Sequence, residues 1–271
     1  MHRHLLTTFL VWTAFLGATL SAQSVEEFDR DDPPGPETPQ QVASPMLDQV
    51  EQAIVRRTNR FRENNDLSAL DVNQQLQEAA EYFADFMART GKYGHTADGQ
   101  RPSERARQHG YEFCIVSENI AYQYSSAGFE TQELAQGFVQ GWKNSPGHRE
   151  NMLDPHVTET GVGVAHSDQT GSYFGVQMFG RPRSASIHFR VVNRAGEAVE
   201  YTVSPSQRGQ SRSFDLPSRV TRTHERCRPS RIEFSFDESL SVKAEDGVGY
   251  VVDTNDSGEL TVLREQLAGE D

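Results

Sequence analysis

Apolar positions along this 271-residue chain change their spacing twice. First comes a continuous apolar run from Leu5 through Leu20, behind Arg3 with His2 and His4 and ahead of the small residues Ser21 and Ala22. Thr7, Thr8 and Thr13 interrupt it, and it is shorter than the roughly 20 apolar residues a membrane span needs. Residues 1–22 therefore read as a secretory signal peptide cleaved near Ala22, which leaves no transmembrane anchor after processing and a secreted, extracytoplasmic product. Residues 23–43, with Glu26, Glu27, Asp29, Asp31, Asp32 and the run Pro33, Pro34, Gly35, Pro36, hold little that builds a core and read as a disordered acidic tether.

Helical spacing takes over next. Ser44 before Pro45 predicts a helix start, and Leu47, Val50, Ile54 and Phe61 fall near one helical face. Leu76, Ala80, Phe83 and Met87 form the stripe of a second helix from about Asn73 to Thr90, with Gly91 placed to end it. Pro102 and Ser103 before Glu104 predict a short third helix ending at Gly110, and Leu134, Phe138 and Trp142 mark another that stops near Pro146. Between these two, Cys114 and Val116 suit a strand. Gly161–Val164 and Tyr173–Phe179 alternate with short period on either side of a polar turn, as the two strands of a hairpin do. Helices first and strands late predict an α+β layered domain over residues 44–183.

Beyond Ser184 only short β-type runs remain: Ile187–Val192, Val199–Val203, Ile232–Phe236, Gly249–Val252 and Glu259–Leu263. Residues 185–271 are expected to form a small antiparallel β domain, in the manner of a sandwich. Asn255, Asp256 and Ser257 spell a glycosylation sequon but are sufficiently explained as a turn before Gly258.

A formal net charge of −13 argues against nucleic acid or an anionic membrane as partner, because an acidic surface repels both. Cys114 and Cys227 are too few for a disulfide scaffold, although an oxidising space permits a bridge between them. No apolar surface signal argues against a monomer.

Candidate chemistry is confined to His95, to Glu118 in the run Ser117–Ala121, and to Ser145 and His148 in the run Trp142–Arg149. Singly each has a plain structural role: Ser145 before Pro146 as a helix cap, the histidines as hydrogen-bonded loop residues, Glu118 as a solvated charge. Trp142 and Phe138 are expected as core anchors and Asn119 as a loop-fixing amide, while Tyr122, Tyr124 and Phe129 could line a cleft or stay partly exposed. A triad of Ser145, His148 and Glu118 lacks the Gly-x-Ser-x-Gly setting of a nucleophile elbow, and no His-Glu-x-x-His pair is present.

Taken together and in order, Asn59 and Arg60, Leu70 and Leu76, His95, Glu118–Ala121, Trp142–Leu153, Gly161–Val164 and Val176–Gly180 resemble the CAP superfamily, the cysteine-rich secretory, antigen 5 and pathogenesis-related-1 proteins, in their bacterial form. The resemblance spans residues 47–182 and implies an α-β-α sandwich of about 130–150 residues, whose cleft is lined by two histidines and two glutamates. Carried over by position, the histidines are His95 and His148 and the first glutamate is Glu118. The second falls on Ser145, which puts any mechanism needing two carboxylates in doubt.

The resemblance also implies binding of lipid or sterol, of peptide, or of a cell-surface protein or polymer, and proteolysis in a few members. Two neutral imidazoles from separate loops could ligate zinc weakly, since they are one ligand short of the usual catalytic three, with Glu118 as base or as orienter. The leading expectation is a non-enzymatic binding module. The alternatives are a zinc-assisted hydrolase using the same cleft and a scaffold whose function lies in the β domain.

Overall fold

The structure is a computed structural model that describes residues 44–206 and 209–267. The signal and tether expected at residues 1–43 lie outside the described residues.

Four strands form the first sheet. β1 (Asp71–Val72), β3 (Glu159–His166), β4 (Tyr173–Pro182) and β2 (Phe113–Gln123) stand side by side in that order, with β1 parallel to β3 and the other neighbours antiparallel. Side chains alternate across a strand, so this sheet has two apolar faces to cover. Val162, Val164 and Phe179 pack under α1 (Leu47–Glu63) and α4 (Thr131–Asn144), where Ile54, Leu134, Phe138 and Trp142 are fully buried. Phe174, Val176, Met178 and Ile120 pack on the other face against α2 (Gln74–Thr90) and α3 (Pro102–Gln108). The result is the expected α-β-α sandwich.

Close contact between α2 and β3 depends on glycine. A Cβ on Gly161 would strike the backbone of Leu76 and Gln77, and one on Gly163 the backbone of Ala80 and Glu81. Only at alternate glycines can the helix sit this near the strand while Val162 and Val164 point to the opposite core. Asn73 caps α2 by accepting from the N–H groups of Gln75 and Leu76, and Gly91, left-handed at φ 67°, ends it as expected.

Two local expectations are corrected. The first helix begins at Leu47, not after Ser44, because Met46 is extended and its N–H is held by Thr131 Oγ1 at the start of α4. Pro146 stops α4 but also opens a further helix, α5 (Pro146–Met152), where its missing N–H costs nothing. His148 therefore sits on a helix rather than a loop, and Ser145 occupies the capping position without a capping side-chain bond.

From Ile187 onward two four-stranded sheets enclose one core. The first runs β10 (Asp237–Lys243), β9 (Ser230–Phe234), β6 (Val199–Pro205), β7 (Arg212–Leu216). The second runs β12 (Leu260–Gln266), β11 (Val248–Thr254), β5 (Ile187–Asn193), β8 (Thr221–Arg226). All pairs are antiparallel except β11 with β5. Alternate residues such as Phe189 and Val191, Tyr201 and Val203, Ile232 and Phe234, and Tyr250 and Val252 meet between the sheets. β7, β8 and β10, rich in Arg, Ser and Thr, were not foreseen. Asn255 makes the expected turn, its Oδ1 accepting from the N–H groups of Ser257 and Glu259.

A disulfide joins Cys114 on β2 to Cys227 just after β8. Beside it Arg228 forms a bidentate pair with Asp154, at 3.1 and 2.7 Å. Burial alone would raise the Asp154 carboxyl, but Arg228 and the His156 N–H hold it below the usual carboxylate range.

Candidate functional site

Edge strand β2 is the spine of the site. Glu118 and Ile120 share the face that packs on α2 and α3, while Asn119 points to the α5 side. Asn119 donates to the carbonyl of His148 at 3.0 Å and accepts from Asn151 Nδ2 at 2.9 Å, and Asn151 also reaches the carbonyl of Glu118 at 3.2 Å. These two amides moor α5, and with it His148, to the strand. Asn119 is a fixing amide as expected, though it acts from within a strand.

On the other side, Gly91 turns the chain out of α2 into the segment that carries His95. His95 Nδ1 lies 2.8 Å from Glu118 Oε1. Arg105 of α3 donates to Glu118 Oε2 at 2.7 Å, to Asp98 Oδ1 at 2.8 Å, and to the carbonyls of His95 and Gln100. Its guanidinium lies 3.4 Å from the centre of the Phe83 ring, and the side chains of Arg105 and Glu118 are both fully buried. Glu118 is thus no solvated surface charge. Beside the Arg105 cation its carboxylate accepts at both oxygens, which makes His95 Nδ1 the donor of that pair and turns Nε2 away from Glu118.

His95 is half exposed, and His148 is partly buried at the start of α5. The His148 imidazole is pushed below its ordinary value, first by burial and then by the neighbouring His95, so it is neutral at pH 7. The two imidazoles are near enough for the charge of His95 to act on His148. No hydrogen bond links Ser145 to His148 among the described residues, and Glu118 pairs with His95, so the Ser145–His148–Glu118 arrangement of a triad is not formed. No group of three or more His, Cys, Asp or Glu spaced to hold a metal ion occurs among the described residues.

Aromatic rings continue the surface from His95. Tyr93 meets Tyr122 edge to face at 5.4 Å, Tyr122 lies 6.1 Å from Phe174, and the Tyr93 hydroxyl donates to the carbonyl of Ile120. Tyr93, Tyr122 and Tyr124 are about half exposed or more. Phe129 does not join them. It is buried against Tyr173, inside the core under α4.

Three residues of this site escaped sequence reasoning: Arg105, Asp98 and Tyr93. An arginine in a short polar helix looks like any surface cation. Its burial, with that of Ala106 beside it, is decided by the fold, and no signal in the sequence marks it.

The family model for the cysteine-rich secretory protein family, CAP, matches residues 55–179. Residues 55–179 are a CAP domain. The relatives of the CAP domain include the uncharacterized protein YkwD of Bacillus subtilis, 28% identical over 132 residues, which are 48% of this chain and 47% of YkwD. The uncharacterized membrane protein YlbC of the same organism is 28% identical over 124 residues, 45% of this chain and 34% of YlbC. The matched region thus spans half or less of these curated relatives. Similar solved structures include an extracellular SCP-domain protein of Bacillus anthracis, with 29% identity and a TM-score of 0.43, over 50% of this chain and 41% of that one. An outer surface protein of Borrelia burgdorferi shows 20% identity and a TM-score of 0.43, over 48% and 91%. Among the described residues no helix is long and apolar enough to cross a membrane.

Proposed function

We propose that this chain is an exported, non-catalytic binding protein whose CAP cleft holds its ligand between the imidazoles of His95 and His148 and the aromatic surface of Tyr93 and Tyr122. Export is supported by the apolar run Leu5–Leu20 ending in Ser21 and Ala22. One observation carries the reading of the cleft: Glu118 is buried with both carboxylate oxygens engaged, by His95 and Arg105. A general base must come within hydrogen-bond reach of the proton it takes, and the Glu118 side chain is fully buried. Glu118 is instead built as an orienter, which favours holding a ligand over turning it over.

The donor set fits a loosely held divalent cation. His95 Nε2 and a neutral His148 are the two groups that would hold zinc, and the Glu118–His95 hydrogen bond is the outer contact that ligating histidines usually have. Bound zinc would supply open coordination positions for an acidic group of the ligand. The chain's own part is to fix the His95 tautomer, keep His148 uncharged, and offer the rings of Tyr93 and Tyr122 to the apolar part of a peptide or lipid.

Calorimetric titration of zinc into the protein at neutral pH tests this, with His95→Ala and His148→Ala alongside. Saturable binding at about micromolar affinity, lost in either variant, is expected. Absence of saturable binding removes the metal from the proposal. Turnover of a peptide library that fell in Glu118→Gln would overturn the non-catalytic reading.

A further inference from the structure

Away from the cleft, α1 and α4 form a shallow groove of unusual charge. Arg57, Arg60, Phe61, Asn64, Gln140 and Lys143 line a hollow of about 150 Å³. A second hollow of about 160 Å³, lined by Ala53, Arg56, Arg57, Arg60 and Gln132, adjoins it. Arg57 and Arg60 belong to both, so the two hollows run on from one another between the helices.

The cations here are not neutralised. None of Arg57, Arg60, Lys143 and Arg149 takes part in an ion pair among the described residues. Arg57 makes only long contacts to Gln132, at 3.3 and 3.5 Å. Lys143 and Arg149 both lie against the Phe61 ring, at 4.5 and 4.7 Å from its centre. Burial, and after it the charges of Arg57 and Arg149, push the Lys143 ammonium below its ordinary value. A chain of net charge −13 has carboxylates to spare, yet among the described residues none lines either hollow. Like charges crowded without partners cost folding energy that an anion would return.

We propose that the α1–α4 groove binds a linear phosphate polymer without bases, successive phosphoryl groups being seated by Arg57, Arg60 and Lys143. Guanidinium forks and an ammonium, with the amides of Asn64 and Gln140 beside them, suit phosphoryl oxygens. Two hollows sharing their arginines suit repeated charges along a chain better than a single ion. The overall negative charge does not prevent this, because at physiological salt its field is screened beyond about 8 Å while the groove acts at contact.

Short linear polyphosphate is the probe, titrated into the whole protein at low and at physiological salt, with inorganic phosphate and oligothymidylate in parallel arms. Saturable polyphosphate binding is expected, with log K falling against log[salt] at a slope of about −2, as three contacts to a single-stranded polyanion give. The Arg57→Gln/Arg60→Gln double variant should weaken it about 10-fold or more, and Lys143→Gln less. Both replace partly exposed side chains, and unchanged far-ultraviolet circular dichroism verifies that the variants fold. No saturable binding, binding unchanged in the double variant, inorganic phosphate as tight as the polymer, or oligothymidylate equally tight would each overturn the proposal.

Discussion

Buried ionisable groups are treated differently in the CAP domain and in the two C-terminal sheets. In the CAP domain the buried arginines are charged and knitted to carboxylates and carbonyls, while Glu51 is held partly protonated by burial. Arg105 joins Glu118 and Asp98, and the equally buried Arg62 donates to the carbonyls of Ser68, Met152, Asp154 and Val157. Between the sheets the central polar pair is neutral: the Tyr201 hydroxyl lies 2.7 Å from His224 Nε2, with the hydroxyl raised to about 12 and the imidazole lowered to about 4, each chiefly by burial. Stacked sheets satisfy their backbone through strand ladders, so few polar side chains have to enter. A layered α+β domain has helix ends and loops turned inward, and arginine forks serve their carbonyls.

Removing Arg105 should do most damage. Arg105→Met leaves Glu118 and Asp98 buried without their cation and is expected to destabilise the CAP domain by about 3–5 kcal/mol in urea unfolding. Where the variant still folds, His95 loses its fixed tautomer and zinc affinity should drop. Arg105→Lys, which cannot reach both carboxylates as a fork, should recover only part of either.

The disulfide comes next. A bridge across a sequence separation of 113 from Cys114 to Cys227 restricts the unfolded chain, and Cys114→Ser/Cys227→Ser should cost about 2–4 kcal/mol. Unfolding of the double variant, followed at once by tryptophan fluorescence and by circular dichroism, checks this. Coincident loss of both signals would show that the two parts remain one cooperative unit without the bridge.

Opposite pH limbs sharpen the comparison. Glu51, on the buried side of α1, accepts from the Val164 N–H and from Gln77, and burial lifts its carboxyl from 4.5 to about 7, with Glu81 and Asp48 adding to the rise. Below pH 4.5 both folded and unfolded forms hold the proton. Between about 4.5 and 7 the unfolded chain ionises first, so stability falls as pH rises, by about 1–3 kcal/mol in all. His224 works the other way: between about 6.5 and 4 the unfolded chain takes the proton first, and stability falls as pH falls, by a similar amount. The two windows overlap and the terms oppose, so urea midpoints should rise with pH between about 4 and 6.5 in Glu51→Gln and fall with pH between about 4.5 and 7 in His224→Gln.

Asp154→Asn should have the smallest effect, about 1 kcal/mol or less, since the Arg228 pair is partly exposed. A loss several times larger would mean that this contact, more than the disulfide, couples the β sheets to the CAP domain.

Spacing in the sequence was enough for the stripes of α2 and α4, for the β3–β4 hairpin and for five of the later strands, because there an apolar face alternates with solvent at the period of the element. It was not enough for β7, β8 and β10. Their residues, such as Thr221, Arg222 and Thr223, are largely exposed, so no apolar alternation marks them, and pairing with β5, β6 or β9 alone makes them strands. Helix α5 was hidden because Ser145 and Pro146 signal a stop as well as a start.

For the site, sequence order determined which residues to examine: His95, Glu118, Ser145 and His148. It could not determine their charge or their partners. Tertiary structure decided that Glu118 lies under α3 with Arg105, that His95 rather than His148 donates to it, that Ser145 stays outside the network, and that Cys114 meets Cys227. The physical reason is one of range. Apolar periodicity is a local property of a chain and survives in the sequence, whereas a buried ion pair exists only when segments distant in sequence shut water out from around both charges.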